Sequence, residues 1–371
     1  ALLVKIGGDS KALDYSLLAK SDSLKQMPES AKLAPPSEWK VLGTPVQRPN
    51  RREVVTGSYQ YPSDLIRPGM LYGKVLRPIA YGAKLKNIDL APAKAIDGGT
   101  VVRDGNFVGV VAPTSYQAKQ AIAALEKSAE WDASPGPSSA TLFADLRDHA
   151  KGGIPKDPFE AASGTQQFKQ SYNAAYIQHA PLEPRAAVAE WNGDKLTVWH
   201  GTQNPFGVKR ELASALHLND ANVHVIVPDF GGGFGGKHTA ECAIEAARLA
   251  RSAGKPVSLR WTREEEFTWA YFRPAAAIEI QASLDSTGKI ATWHHVNINS
   301  GRSSIESPYR IEKSKADYVD SDPPLRHGSY RALAATANSF AREVAMDELA
   351  ALAGKDPLEF RLAQLAPDDR L

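Results

Sequence analysis

The sequence has almost no cysteine. A single thiol, Cys242, among 371 residues excludes an intrachain disulfide, a thiolate zinc site and an iron–sulfur cluster held by this chain alone. An excess of either charge is also missing: 44 Lys and Arg stand against 42 Asp and Glu, a formal net charge of +2. Such a balance gives no field for gripping a phosphate backbone or an anionic membrane, so nucleic acid is not an expected partner. No run approaches the roughly 20 apolar residues needed to cross a bilayer. Ala1-Leu2-Leu3-Val4 is too short for a signal-peptide core, so the chain reads as soluble. Glycine and proline, at 28 and 25, are not in the excess that marks disordered or fibrous chains, and no internal repeat is present. What remains is a globular composition with length enough for two or three domains.

The first 45 residues mix charge with scattered leucines and lead through Ala34-Pro35-Pro36, the composition of an entering arm. From 46 to 131, short β-rich runs (Val54-Val55, 71–76 and 107–111) are punctuated by Pro68-Gly69 and Asp104-Gly105 and closed by a helix-like stretch over 116–127. A compact α+β module is expected there. Residues 132–160, with Ser134-Pro135-Gly136-Pro137 and Gly152-Gly153, read as a linker. In the remaining region, 161–371, one hairpin should turn at Asn192-Gly193-Asp194, because Asn-Gly tolerates positive φ, and another at Asp285-Ser286-Thr287-Gly288. Helices are predicted over 206–216 and 240–253, the second capped by Gly254. Near the end, Phe340, Val344, Ala345 and Leu349 should share a helical face stopped by Gly354, and Asp356-Pro357 should open a last helix. The fold class is mixed α+β.

The most informative segment is an apolar run over 223–227 followed by Pro228-Asp229-Phe230-Gly231-Gly232-Gly233-Phe234-Gly235-Gly236-Lys237-His238 and a helix. Strand, glycine loop and helix start form an anion site, because unpaired amides and the helix dipole converge where side chains are absent. The pattern falls one residue short of a nucleotide-binding P-loop. Lys237 is present, but His238 stands where Ser or Thr must reach magnesium, and no apolar strand closed by Asp supplies the second acidic group. A P-loop-like nucleotide-binding protein and a merely structural turn are the alternatives. Each glycine weakens an ordered element by roughly 0.5–1 kcal/mol relative to Ala. Glycines this dense around Phe234 imply that something sits against the backbone, with Phe234 either an apolar plug or a platform for a planar substrate.

Several further segments stand in a telling order. Val55-Thr56-Gly57, Arg67-Pro68-Gly69-Met70-Leu71-Tyr72-Gly73-Lys74-Val75 and Leu76-Arg77-Pro78 come first. His179-Ala180-Pro181-Leu182-Glu183-Pro184-Arg185, Gly201-Thr202-Gln203-Asn204-Pro205 and the glycine loop follow. Trp261-Thr262-Arg263-Glu264-Glu265, Gly328-Ser329-Tyr330-Arg331-Ala332 and Met346-Asp347-Glu348 close the series. Over about 51–365 the chain resembles the xanthine oxidase family of molybdenum hydroxylases, in the branch of isoquinoline 1-oxidoreductase and membrane-associated aldehyde dehydrogenases. The first group is similar to that family's hammerhead domain and the rest to its molybdopterin-binding large subunit.

The resemblance implies a hammerhead domain over 46–131 followed by the first part of a molybdopterin-binding domain over 161–371. It implies an oxidoreductase that hydroxylates an aldehyde or N-heteroaromatic carbon with oxygen derived from water. The cofactor would be molybdenum on a pterin dithiolene, in its cytosine dinucleotide form, so no side chain need ligate the metal. The [2Fe-2S] clusters would sit on a partner subunit, which agrees with the lone Cys242. Gln203 would hydrogen-bond an oxygen ligand of the metal, the amides of Phe234 and Gly235 would face the centre, and Gly232 and Gly233 would belong to the same cradle. Arg331 would brace the pterin side, and Phe234 would border the substrate.

Two departures qualify this. His238 stands where purine-oxidising members carry a glutamate that contacts the purine, so purine oxidation is not expected; Ala332-Leu333-Ala334-Ala335 likewise replaces their glycine-rich tetrad. His238 is either a substrate-pocket group or a first-turn helix residue. No catalytic base is assignable, because the family's glutamate lies near the far C-terminus and Leu371 falls near the middle of the expected subunit. Glu241 and Glu245 read as a solvated helix face with favourable N-terminal charge. Expected partners are the complementary C-terminal half as a separate chain, a [2Fe-2S] subunit, and a cytochrome c or flavin subunit. A non-catalytic structural partner of the same fold is the runner-up function. The bacterial periplasm is the expected compartment and the cytoplasm the alternative.

Overall fold

The computed structural model describes residues 3–5, 12–14, 19–20, 22, 30, 33–160 and 164–366. Two compact units result, 1–59 and 60–371. In the first, Leu3–Lys5 pairs antiparallel with Ala12–Asp14, and a short helix spans Arg51–Thr56. Much of the expected arm over 1–45 lies outside the described residues. Val54-Val55, expected as strand, falls inside the helix. Arg51, Arg52 and Glu53 favour helix, and Gly57 ends it at φ 74° with its N–H on the Glu53 and Val54 carbonyls, so local context overrides the β preference of valine.

Residues 60–371 are built on two main sheets. The larger has seven strands, in the order Val223–Ile226, Lys195–His200, Ala186–Asn192, Val257–Arg260, Leu71–Val75, Phe107–Ala112 and Thr100–Asp104. Strands of the 46–131 segment thus join strands from beyond 161 through the parallel pair Leu71–Val75 and Val257–Arg260. Alternate residues of a strand face opposite sides. Val108, Val110 and Ala112 pack with the helix Ser115–Ser128, whereas Val111 packs in the cluster that contains the helix Glu241–Ala253. That second helix comes close because Gly73 and Gly109 lack side chains: a Cβ on either would lie 2.6 or 2.8 Å from the Leu249 side chain. Leu249 is fully buried, a contribution of about 2 kcal/mol.

The smaller sheet runs Lys313–Val319, Ile290–Ile298, Ala276–Leu284 and Gln166–Ala174, with the helix Ala335–Leu352 packed on it. Its buried stripe is Ala337, Ala341, Ala345 and Leu349, joined by Met346. Phe340, expected on that stripe, is 47% exposed and meets Tyr172 edge-on. Alanines four apart let the helix backbone approach the sheet, and a phenylalanine in that row would hold it off. Both expected hairpins close, with Gly193 at φ 60°, Gly288 at φ 72°, and the Asp285 carboxylate accepting from the amides of Thr287 and Lys289. Within 132–160 the helix Leu142–Asp148 is anchored by fully buried Leu146 and by Arg147, 2.7 Å from Glu279, so this turn-rich stretch also carries packed structure. Among the described residues no helix is long and apolar enough to cross a membrane.

Candidate functional site

Two adjacent parallel strands, Lys195–His200 and Val223–Ile226, deliver the residues singled out by sequence. Gln203 follows the first and the glycine loop follows the second, so both emerge at the carboxyl ends of neighbouring strands, where ligands of open α/β sheets bind. Asn204 caps the helix Pro205–Leu216 by accepting from the Gly207 amide, which pins the residue beside Gln203.

The Gln203 carboxamide has one orientation. Its Oε1 accepts from the Gly235 amide at 2.9 Å and the Lys237 amide at 3.4 Å, while its own backbone N–H donates to the Lys237 carbonyl at 2.8 Å. Both side-chain partners are donors, so the oxygen points into the loop and Nε2 points away from it. Among the described residues Nε2 has no partner. Gly233 must lack a side chain for this, since a Cβ there would sit 2.5 Å from Gln203 Oε1. The Gly235 amide therefore does not face outward as expected; it is consumed by Gln203. The Phe234 amide makes no hydrogen bond among the described residues. Phe234 itself has φ 54° and is 46% exposed, so it is not an apolar plug. A left-handed non-glycine residue costs about 1–2 kcal/mol, strain of the kind held at functional sites.

A second loop is fastened to the first. Arg331 N–H donates to the Phe234 carbonyl at 2.9 Å, and His179 Nε2–H donates to the Ser329 carbonyl at 2.6 Å. The His179 ring packs against Tyr271 and Tyr330, and the Tyr271 hydroxyl donates to the Gly235 carbonyl. Burial, reinforced by the charges of Arg185 and His238, pushes His179 below the usual imidazole range despite its bond to Ser329. The Arg331 guanidinium is exposed and has no partner among the described residues. Ala332 and Leu333, which follow it, both lie at positive φ, 68° and 53°.

Beneath the loops lies a frame of buried charge. Arg185 and Glu266 are each 1% exposed and paired, and Arg185 also donates to the Gly236 carbonyl. Glu183 accepts from the Gly231 amide at 2.8 Å and lies 3.6 Å from the Lys237 ammonium, which donates to the Glu183 carbonyl at 2.8 Å. Lys237 thus points into the protein, 1% exposed, where no phosphate can meet it, and the P-loop reading loses its key cation. Burial pushes Lys237 below the usual lysine range, with Glu183 and Glu266 pulling the other way.

Three expectations need correction. Glu245 is no solvated residue: it pairs with Arg77 and accepts from Trp261 Nε1 at 2.8 Å. Glu241 is bridged to Arg326 at 2.9 Å. His238 lies three residues ahead of the helix start at Glu241, so it is a loop residue and not part of the first turn. Sequence reasoning assigns no role to His179, Arg185 or Glu183, although all three lie in a motif it singles out; Tyr271 carries no local signal at all. Among the described residues no three His, Cys, Asp or Glu side chains are grouped to hold a metal ion.

Residues 142–365 match the molybdopterin cofactor-binding domain family. The chain belongs to that family. A nicotinate dehydrogenase subunit of Pseudomonas putida is 27% identical over 97% of this chain, which spans only 34% of that relative. The nicotinate dehydrogenase large molybdopterin subunit of Eubacterium barkeri is 25% identical, over 88% of this chain and 89% of its own length. In structure, quinoline 2-oxidoreductase from Pseudomonas putida 86 superposes with a TM-score of 0.74 at 23% identity, over 88% of this chain and 50% of that one, which shows the shared fold. The resemblance to the xanthine oxidase family therefore holds. A molybdopterin cofactor fits the residues present: Gln203 Nε2 and the Phe234 amide are unspent donors, Gly233 and Gly235 let Gln203 and the Ser329 backbone pack against the loop, and Arg331 is an unpaired cation on the loop fastened to it.

Proposed function

We propose that this molybdopterin-binding chain serves an oxidoreductase that hydroxylates an N-heteroaromatic or aldehyde carbon with oxygen from water and passes electrons to [2Fe-2S] centres on a partner subunit. The observation that carries the proposal is the Gln203 carboxamide, with its oxygen held by two loop amides and its Nε2 left to donate. When bound, the cofactor, in its cytosine dinucleotide form, supplies the two-electron oxidation chemistry. The chain's own residues bind and orient. Gln203 donates a neutral hydrogen bond to an oxygen at the centre, the Phe234 amide donates a second, and the Arg331 fork opposes anionic groups on the pterin side. The half-exposed Phe234 ring offers a flat apolar face to a planar substrate. His238, in place of a purine-contacting glutamate, supports a substrate other than a purine.

The base is supplied from outside this chain, because Glu183 and Glu266, the carboxylates beneath the loop, are both committed to buried cations. A complementary half of the large subunit and an iron–sulfur subunit are the partners this reading requires, with a cytochrome c or flavin subunit as electron acceptor and the periplasm as compartment.

The test is molybdenum analysis of protein purified gently from its native host, with denaturing electrophoresis of the same fractions and turnover on both substrate classes. Near-stoichiometric metal with a second large chain and an iron–sulfur subunit is the expected result. A metal-free single chain inert to both classes would leave a scaffold of the same fold and sink the proposal.

A further inference from the structure

One face of the large sheet is covered in two pieces. The helix Ser115–Ser128 lies over Leu71–Val75 and Phe107–Ala112, and the turn Pro62–Asp64 lies over Ala186–Asn192 and Val257–Arg260. Between these covers the sheet is open, and its floor is polar. Tyr72 is paired with Ser258, and two positions on, facing the same side, come Lys74 and Arg260. A cavity of about 650 Å³ and a side cavity of about 100 Å³ open here, and Ser63, Lys74 and Arg260 line both.

The groups on this floor are unspent donors. The Arg260 guanidinium and the hydroxyls of Ser258 and Ser115 have no hydrogen-bond partner among the described residues, although Ser258 is only 9% exposed. Lys74 is held in place by donating to the Arg260 carbonyl at 2.7 Å, with Glu265 3.9 Å away. Ser115 opens a 14-residue helix whose first turn carries no acidic side chain; Thr114 caps it by accepting from the Gln117 amide at 3.2 Å, and the Ser115 and Tyr116 amides have no partner among the described residues. On the opposite wall Arg263 Nη1 is buried without a partner. Two carboxylates share the wall of the larger cavity, Asp64, which accepts from the Tyr61 amide at 3.1 Å, and Glu183, which serves Ser63, Gly231 and Lys237, whereas the side cavity at Lys74, Arg260 and Ser115 is lined by no acidic residue.

An ammonium, a guanidinium, hydroxyls and a helix N-terminus converging in one cleft are the donor set of a phosphate group. We infer that this cleft is a second ligand site, which binds a small phosphate-bearing molecule with its phosphate over Lys74 and Arg260 and its remainder in the larger cavity. That cavity is of the size that holds coenzyme-sized ligands. The inference does not depend on what the glycine loop binds, although Glu183 and Gly231 form a wall common to the two.

The test is calorimetric titration of pyrophosphate into the full chain, together with any subunits that copurify, once as isolated and once after the cofactor has been stripped. One pyrophosphate per chain is expected in both states. Arg260→Gln should weaken binding on the order of tenfold, with partial recovery in Arg260→Lys. Ser115→Asp should also weaken it, and it keeps a residue that a helix N-terminus tolerates, so loss of fold cannot mimic the effect; melting without ligand checks this. Binding indifferent to both changes, or absent at millimolar pyrophosphate, overturns the inference. Binding seen only after stripping also overturns it, since the cofactor's own phosphates would then fill the cleft. A chain that never held molybdenum would defeat the function proposed above and still answer this question.

Discussion

Replacing Arg185 by methionine takes away a guanidinium that is 1% exposed and leaves Glu266, also 1% exposed, in place. Methionine roughly preserves the volume, so little of the effect comes from a cavity. What disappears is the ion pair, the bond to the Gly236 carbonyl, and the cation over Trp261 and Tyr271 at 5.3 and 5.6 Å. Deleting one partner of a buried pair costs about 3–5 kcal/mol, because the remaining charge stays dehydrated and uncompensated. The orphaned carbonyl adds about 1 kcal/mol. Removing the charge as well, in Arg185→Met/Glu266→Gln, should recover most of that loss, so the double variant is expected to be more stable than the single one. Urea unfolding followed by tryptophan emission measures both, with Trp261, 3% exposed beside Arg185, as the local reporter. A loss below about 1 kcal/mol in Arg185→Met, or a double variant weaker than the single, would refute the picture of a dehydrated buried pair under the loop.

Gly235→Ala combines φ 96° with a Cβ 2.7 Å from the Ser329 carbonyl. It should force the two loops apart and lower molybdenum per chain severalfold, whereas Gly254→Ala, with open space around it at φ 61°, should cost only about 1 kcal/mol of stability and no metal. Gln203→Leu should lower kcat by on the order of 10²–10³-fold with molybdenum content retained, the size of effect expected from losing one preorganised donor; an effect confined to KM would argue against the assigned role. His200 and His295 are fully buried and pushed down to about 4 from 6.5, burial being the main cause in both. Unfolded histidines take up protons near 6.5 that the folded ones refuse, so this stability is complete above pH 6.5 and lost progressively as pH falls toward 4, by on the order of 3 kcal/mol each. Unfolding midpoints measured from pH 7.5 to 5 should show the decline, and a flat profile would mean that water reaches these rings.

Elements governed by neighbours in sequence were legible. Gly254 ends its helix at φ 61°, Asp356 caps its helix through the Leu358 and Glu359 amides, and the two hairpins turn where Gly193 and Gly288 permit. The site was legible in outline, because the glycine loop and the Gln203 segment carry their own signatures and lie on adjacent strands. What escaped depends on partners far along the chain. Glu245 reads as a surface acid until Arg77 arrives 168 residues away, and Lys237 reads as a phosphate ligand until Glu183 claims it. The Gly235 amide could not be known to be spent, since its acceptor is a side chain 32 residues earlier. Phe340 escapes for a different reason: hydrophobic periodicity finds the large residues of a face, whereas close packing here selected the alanines beside it.

The strand Leu71–Val75 lies between Phe107–Ala112, its near neighbour in sequence, and Val257–Arg260, whose last residue meets Lys74 across 186 positions. At about 5–20 residues per second, the ribosome needs about 10–40 s to make the second neighbour after the first strand has emerged. Once Phe107–Ala112 has been made, three strands can assemble, and until Val257–Arg260 arrives the Leu71–Val75 side is an open edge in addition to the Thr100–Asp104 edge that the finished sheet keeps; open edges recruit strands from other chains. A chaperone that shields nascent strand edges is therefore expected to raise the yield of this protein.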